Sequence, residues 1–336
     1  MNKRLIVVLG MHRSGSSTIT RALKVMGIQL GNTLLAPQEG VNPKGFWEDA
    51  DINALNISML NAIGSSWHQL APIDSTAVAT LHEQGYFLKC GDLLQKKTGD
   101  ALTIFGFKDP RVPQLLPFWN DVFRQSNFDI DYILTVRHPL SIANSLNTRD
   151  CFDSEKSYLL WIGHVISSLS ETQGKKRILV DYDRLVTSPD IELGRIATHL
   201  NLAIDQTELT TFKTEFLDPS LRHTKFELND LILDKQCPPL GHDIYTIQTA
   251  LASDTISVND TSLLQQISEW KNEFHRSTSI LALIDRLYQV KAENIQLKQS
   301  LAERDENTKR LLSSRSWLIT KPFRWGRRAL FGNRTP

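Results

Sequence analysis

Leu5-Ile6-Val7-Val8-Leu9-Gly10-Met11-His12-Arg13-Ser14-Gly15-Ser16-Ser17-Thr18 decides the fold. The unbroken apolar run from Leu5 to Leu9 predicts a strand buried on both faces, since a strand with one wet face would alternate. A Gly- and Ser-rich turn follows, and then a helix predicted over residues 16 to 26. This order builds a phosphate cradle, because the N–H groups of the turn and of the first helical residues have no internal partners and point at an anion. Gly10 and Gly15 keep the G-x-x-x-x-G spacing of a Walker A loop, but Ser16 stands where its Lys should follow. The cation of the segment is Arg13, whose planar fork suits phosphate.

A second anion site is legible far along the chain. Asp131 to Val136 reads as another buried strand; it ends in Arg137-His138-Pro139, with Ser145 eight residues after Arg137 and Arg149 one turn further on. Pro139 opens a helix at that strand end, where open α/β sheets bind ligands. The two segments together resemble the sulfotransferase family. Arg13-Ser14-Gly15-Ser16-Ser17 matches, position by position, the family's loop of the type (Lys/Arg)-Ser-Gly-(Ser/Thr)-(Ser/Thr), and Arg137 with Ser145 matches its Arg and Ser at a strand end. The resemblance implies binding of 3′-phosphoadenosine 5′-phosphosulfate (PAPS) as co-substrate. Arg13, Ser14, Gly15, Ser16, Ser17 and Thr18 would hold its 5′-phosphosulfate, and Arg137 and Ser145 its 3′-phosphate. It covers roughly residues 4 to 230 and implies an α/β, P-loop-like parallel sheet flanked by helices.

Sulfuryl transfer requires a base for the acceptor hydroxyl and positive charge where negative charge builds on the bridging oxygen. Lys108 in Phe107-Lys108-Asp109-Pro110-Arg111 follows a strand predicted from Leu102 to Phe107, and the Lys-Asp-Pro looks like that of tyrosylprotein and related Golgi-type sulfotransferases. The resemblance gives Lys108 the role of stabilising the transferring group. For the base it points to Glu48 in Pro43-Lys44-Gly45-Phe46-Trp47-Glu48-Asp49, with Asp49 and Glu39 as substitutes. Glu48 and Asp49 read equally as first-turn acids complementing a helix dipole. Cytosolic members use a His, but His12 lies inside the phosphate loop and His68 follows a Ser-Ser-Trp turn. Leu221-Arg222-His223-Thr224-Lys225 reads as a basic turn.

Between these motifs the chain alternates strand and helix. Helices are predicted over 48 to 63, with Ile52, Leu55, Met59 and Ile63 on one stripe, and over 75 to 97, 113 to 123, 139 to 149, 154 to 172, 190 to 200 and 205 to 215; a further strand is predicted at 177 to 181. The alternation predicts a parallel sheet with helices on both faces.

At 336 residues, 41% hydrophobic, the chain can bury a full core, and a net charge of +1 gives no field that argues for nucleic acid. Cys90, Cys151 and Cys237 show no metal or disulfide spacing; with no signal-peptide pattern after Met1, the expectation is cytoplasmic. A catalytic domain is expected over 1 to 275. From 276 to 312, Leu283, Leu287, Val290, Leu297, Leu301 and Leu311 recur at three- and four-residue steps with Asn294 in the seam, which predicts a parallel coiled-coil homodimer or a helix folded back on its own domain. The tail from 313 to 336 interleaves Trp317, Phe323 and Trp325 with Arg and Lys. This suits an anionic membrane surface or a disordered basic end. Its Ser-x-Ser-Trp-x-x-Thr-x-Pro-x-Arg pattern looks like the ends of bacterial surface-polysaccharide enzymes, which makes a carbohydrate the expected acceptor. A nucleotide-dependent kinase and a silent scaffold of a polysaccharide-synthesis complex are the alternatives; against the kinase stands the missing loop Lys.

Overall fold

The structure, a computed structural model, describes residues 3–40, 42–99, 104–126, 128–217 and 226–324. Four strands, β1 (Lys3–Leu9), β2 (Ile104–Lys108), β3 (Phe128–Val136) and β4 (Lys176–Asp181), form one parallel sheet in the order β2-β1-β3-β4. Because side chains alternate along a strand, the sheet has two distinct faces. Ile6 and Val8, with Ile133, Ile178 and Val180, lie in one buried cluster with Ile19, Leu23, Leu193, Ile196 and Phe212. On the opposite face Phe107 meets Trp119 at 6.0 Å between ring centroids, and the Tyr132 hydroxyl donates to Asn120 Oδ1 at 3.2 Å. Burial of each such side chain contributes about 1.5–3 kcal/mol.

The helices follow from the connections. Between β1 and β2 run α1 (Ser16–Ala22), α2 (Ala50–Ala62), α3 (Ser75–Glu83) and α4 (Tyr86–Thr98). The helix expected over 16 to 26 tightens into a 3-10 turn at Leu23–Met26, and the one expected over 75 to 97 is two helices. It breaks because Gly85 takes φ +75°, ending one helix and capping the next. α5 (Val112–Gln125) joins β2 to β3, and α6 (Pro139–Asp150) and α7 (Ser154–Glu171) join β3 to β4. After β4 come α8 (Tyr182–Thr187), α9 (Pro189–Leu200) and α10 (Gln206–Thr211), the last continuing into a π turn at Phe212–Phe216. Three helices follow that the sequence reading did not assign: α11 (Leu228–Leu233), α12 (Pro239–Ala252) and α13 (Thr261–Arg276).

Residues 1–281 form one compact unit and 282–336 another. The second consists of most of α14 (Thr278–Ser313), with α15 (Arg315–Ile319) beyond it. Among the described residues no helix is long and apolar enough to cross a membrane. The basic turn at 221 to 225 and the tail from residue 325 onward lie outside the described residues.

Candidate active site

All four strands point the same way, so Gly10, Lys108, Arg137 and Tyr182 gather at one edge of the sheet. α1 leaves that edge toward the face of Ile6 and Val8, whereas β3 passes into α6, whose Ile142 shares a small cavity with Leu9, Leu134 and Trp161 of the other face. The connections diverge there, and a crevice opens between them. It is a cavity of about 750 Å³.

Close packing shapes the loop that floors it. A Cβ at Gly10 would lie 2.0 Å from Thr135 Oγ1, so only glycine lets β1 turn against the end of β3. The Thr135 hydroxyl donates to Ser14 Oγ (2.9 Å), which donates to the Met11 carbonyl (2.7 Å). The Ser14 side chain therefore closes the turn and does not line the cavity, whereas Arg13 and Gly15 to Thr18 do. At Gly15, φ is +83° and a Cβ would lie 2.3 Å from the Tyr182 ring. Arg13 also takes a left-handed backbone, φ +68°, a conformation that costs a non-glycine residue about 1–3 kcal/mol.

That conformation joins the loop after β1 to the end of β3 and to α6. Arg13 Nε donates to Ser145 Oγ at 2.6 Å, and Arg137 NH1 donates to the Arg13 carbonyl at 2.7 Å. The Arg137 guanidinium lies 4.7 Å above the Tyr182 ring centroid, and its Nε is buried with no hydrogen-bond partner among the described residues. A buried, unpaired donor on a guanidinium is costly, and an anion or a water there would satisfy it. Burial, with Arg149 and Arg137 nearby, pulls the Arg13 pKa below its usual value. An anion among these three cations would relieve their repulsion.

Lys108 and Glu48 meet at the other end of the cavity. The backbone that carries Glu48 is pinned by the Leu35 N–H to the Glu48 carbonyl (2.8 Å) and by the Ala50 N–H to the Thr33 carbonyl (2.7 Å). Lys108 Nζ lies 2.7 Å from Glu48 Oε1 and donates to Ser17 Oγ (3.2 Å) and to the Phe46 carbonyl (3.1 Å). The lysine is therefore tied to both the loop after β1 and the carboxylate. Glu48 Oε2 accepts from Asn53 Nδ2 (2.9 Å), which also donates to Asp109 Oδ2 (3.1 Å), while Arg111 NH1 lies 3.2 Å from Asp109 Oδ1 and 3.8 Å from Glu48 Oε2. Asp109 is fully buried; burial first, and then the Glu48 charge, raise its pKa against the pull of Arg111.

The substitutes for Glu48 are placed otherwise. Asp49 is the N-cap of α2, accepting from the N–H groups of Asp51 (3.1 Å) and Ile52 (3.2 Å), and it pairs with Lys97 at 2.7 Å. The helix accordingly starts at Ala50, not at residue 48. Glu39 is exposed and outside the cavity. His12 lines the cavity edge-on to Trp67 at 4.2 Å; burial, then Arg149, Arg111 and Lys108, hold its pKa well below the usual value, so it is neutral near pH 7. His68 packs on Trp67 and Phe152 instead. Sequence reading did not single out Asn53, Asp109 or Arg111. Arg111 and Asp109 stood beside Lys108 in the quoted segment, but nothing local signals that Asn53 bridges two carboxylates across the cavity wall.

No protein-family model matches the chain, and no curated protein matches it in sequence. Among solved structures it is similar to the sulfotransferase domain from the Synechococcus PCC 7002 olefin synthase, 19% identical, covering 76% of this chain and 94% of that one at a TM-score of 0.41. It is similar also to the sulfotransferase domain from the curacin biosynthetic pathway, 16% identical, covering 74% and 98% at 0.43. The sulfotransferase STF1 from Mycobacterium tuberculosis H37Rv is 14% identical, covering 73% and 77% at 0.37.

Proposed function

We propose that the chain is a PAPS-dependent sulfotransferase that modifies a hydroxyl of a carbohydrate by in-line displacement. One observation carries this reading: Arg13 and Arg137 line the same cavity as the Lys108–Glu48 pair, which is tied to the loop after β1 through Ser17. The Arg137 Nε, unpartnered among the described residues, fits a nucleotide that carries a phosphate at that end. When bound, PAPS supplies the sulfuryl group.

The chain's own residues do the rest. Arg13 and the Gly15 to Thr18 backbone hold the 5′ end, and Arg137 with Ser145 holds the 3′-phosphate through charge-assisted hydrogen bonds. Lys108 places positive charge where the leaving oxygen becomes negative, and Glu48 accepts the proton of the attacking hydroxyl. Lys108 need only pivot from Glu48 toward the nucleotide to free the Oε1 lone pairs at the moment that base is required. No covalent intermediate is involved, so positioning and electrostatics carry the rate. The tail pattern from Ser314 to Arg324, like those of bacterial surface-polysaccharide enzymes, supports a carbohydrate acceptor.

The test is incubation of the protein with PAPS and a panel of glycans and glycolipids, read by mass spectrometry. The expected result is the mass gain of one sulfuryl group with release of 3′-phosphoadenosine 5′-phosphate (PAP). A phosphoryl gain from ATP with Mg²⁺, and none from PAPS, would assign the chain to the kinases. No turnover with either donor, across acceptors, would favour the scaffold.

A further inference from the structure

We propose that residues 280–301 of α14 pair with the same segment of a second copy of this chain, as a parallel, in-register two-stranded coiled coil. Written as heptads, Ile280, Leu287, Asn294 and Leu301 occupy the a positions, and Leu283, Val290 and Leu297 the d positions. The apolar members are 45–68% exposed, although they fall on one stripe of a continuous helix. A stripe of period 3.5 left open to water along a helix of 36 residues, about 54 Å, is the form a coiled-coil partner covers. Leu281, at the start of the helix and within the first unit, is buried.

The occupant follows from Asn294. In a parallel, in-register pair the a residues face their own copies, so Asn294 meets a second Asn294, and each amide can donate to the other. An antiparallel pair sets a against d and leaves the amide facing an apolar side chain, where it costs stability. A different protein would need a polar residue at that one layer, whereas a second copy supplies it automatically. Charge agrees at the flank: Glu293 at g faces Lys298 at e of the second copy. Arg286 and Lys291, at the corresponding positions one heptad earlier, are alike in sign and exposed, so they weaken the pair without setting its register. The seam closes after Leu301, because Arg304 and Thr308 take the next d and a positions, and Leu311 is left outside the pairing.

This inference stands apart from the reaction, so its test avoids nucleotide. Sedimentation equilibrium of the full chain at micromolar concentration should give twice the chain mass. The double variant Leu287→Asp/Leu297→Asp should sediment as a monomer, with the unfolding midpoint of the catalytic unit unchanged. In a Cys151→Ser background, which removes the exposed thiol, Asn294→Cys should form a disulfide-linked dimer on mild oxidation. A monomeric unmodified chain, a dimer that survives the double variant, or a dimer with no crosslink at position 294 would each overturn the proposal.

Discussion

At the scale of single residues, the site rests on a buried ion pair whose partners hold each other. Lys108 and Glu48 are 3% and 5% exposed, and such a pair persists only when further hydrogen bonds satisfy the remaining lone pairs and protons. Ser17, Phe46 and Asn53 supply them. Glu48→Gln retains the shape and the acceptor for Asn53 but cannot take the acceptor's proton. Turnover is expected to fall about 10²–10⁴-fold while PAP affinity stays nearly unchanged, as steady-state rates and calorimetry would show. Near-normal turnover would remove Glu48 from the chemistry, and His12, neutral and on the cavity wall, would be the next residue to test. Lys108, Glu48, Arg13 and Arg137 were legible because each sits in a short motif at a strand end or just after a loop. The Asn53–Asp109 hydrogen bond and the packing of Tyr182 under Gly15 were not, because they join segments 56 and 167 residues apart.

At the scale of elements, the strands and the helices that follow them were legible from apolar runs and capping residues. The observed strands lie within a few residues of those expected, since buried parallel strands announce themselves as continuous Val, Ile and Leu. The misread boundaries have local causes. Asp49 looked like a first-turn acid but is a cap, and Gly85 splits a helix that its apolar pattern ran through. α13 was missed although Leu263, Ile267, Trp270 and Phe274 recur at helical spacing and are buried. α7 carries a pH-dependent element. His164 is fully enclosed there, with Nδ1 bonded to the Leu160 carbonyl at 2.8 Å, and burial drives its pKa down to about 4. The unfolded chain binds this proton near pH 6.5, and the folded chain does so only near pH 4. Stability from this group is therefore fully present above pH 6.5 and is lost as pH falls toward 4. Between pH 6.5 and 5 the loss is about 2 kcal/mol in urea-unfolding free energy, and His164→Gln should flatten that slope. An unchanged slope in the variant would place the acid sensitivity in another group.

At the scale of the whole molecule, the chain divides into a compact unit that holds the cavity and a helical extension with exposed apolar residues. Heptad spacing made the extension legible, and the polar residues Arg304 and Thr308 set the extent of the seam. In the tail, Trp317, Leu318, Ile319 and Phe323 are 39–79% exposed, and the Arg324 guanidinium lies 3.7 Å from the Trp317 ring centroid. We expect the intact protein to sediment with anionic vesicles at low salt and to detach as salt rises, and truncation after Leu312 to abolish sedimentation with turnover intact. Vesicle binding that survives the truncation would move the membrane contact elsewhere. The central claim is that this cavity reads a 3′-phosphate, and calorimetric titration of the protein with PAP and with AMP tests it most directly. Gripped by Arg137 and Ser145, the 3′-phosphate should give PAP an advantage of roughly 1.5–3 kcal/mol over AMP, and Arg137→Ala should erase most of it. Equal affinities for PAP and AMP in the unmodified protein would contradict the account.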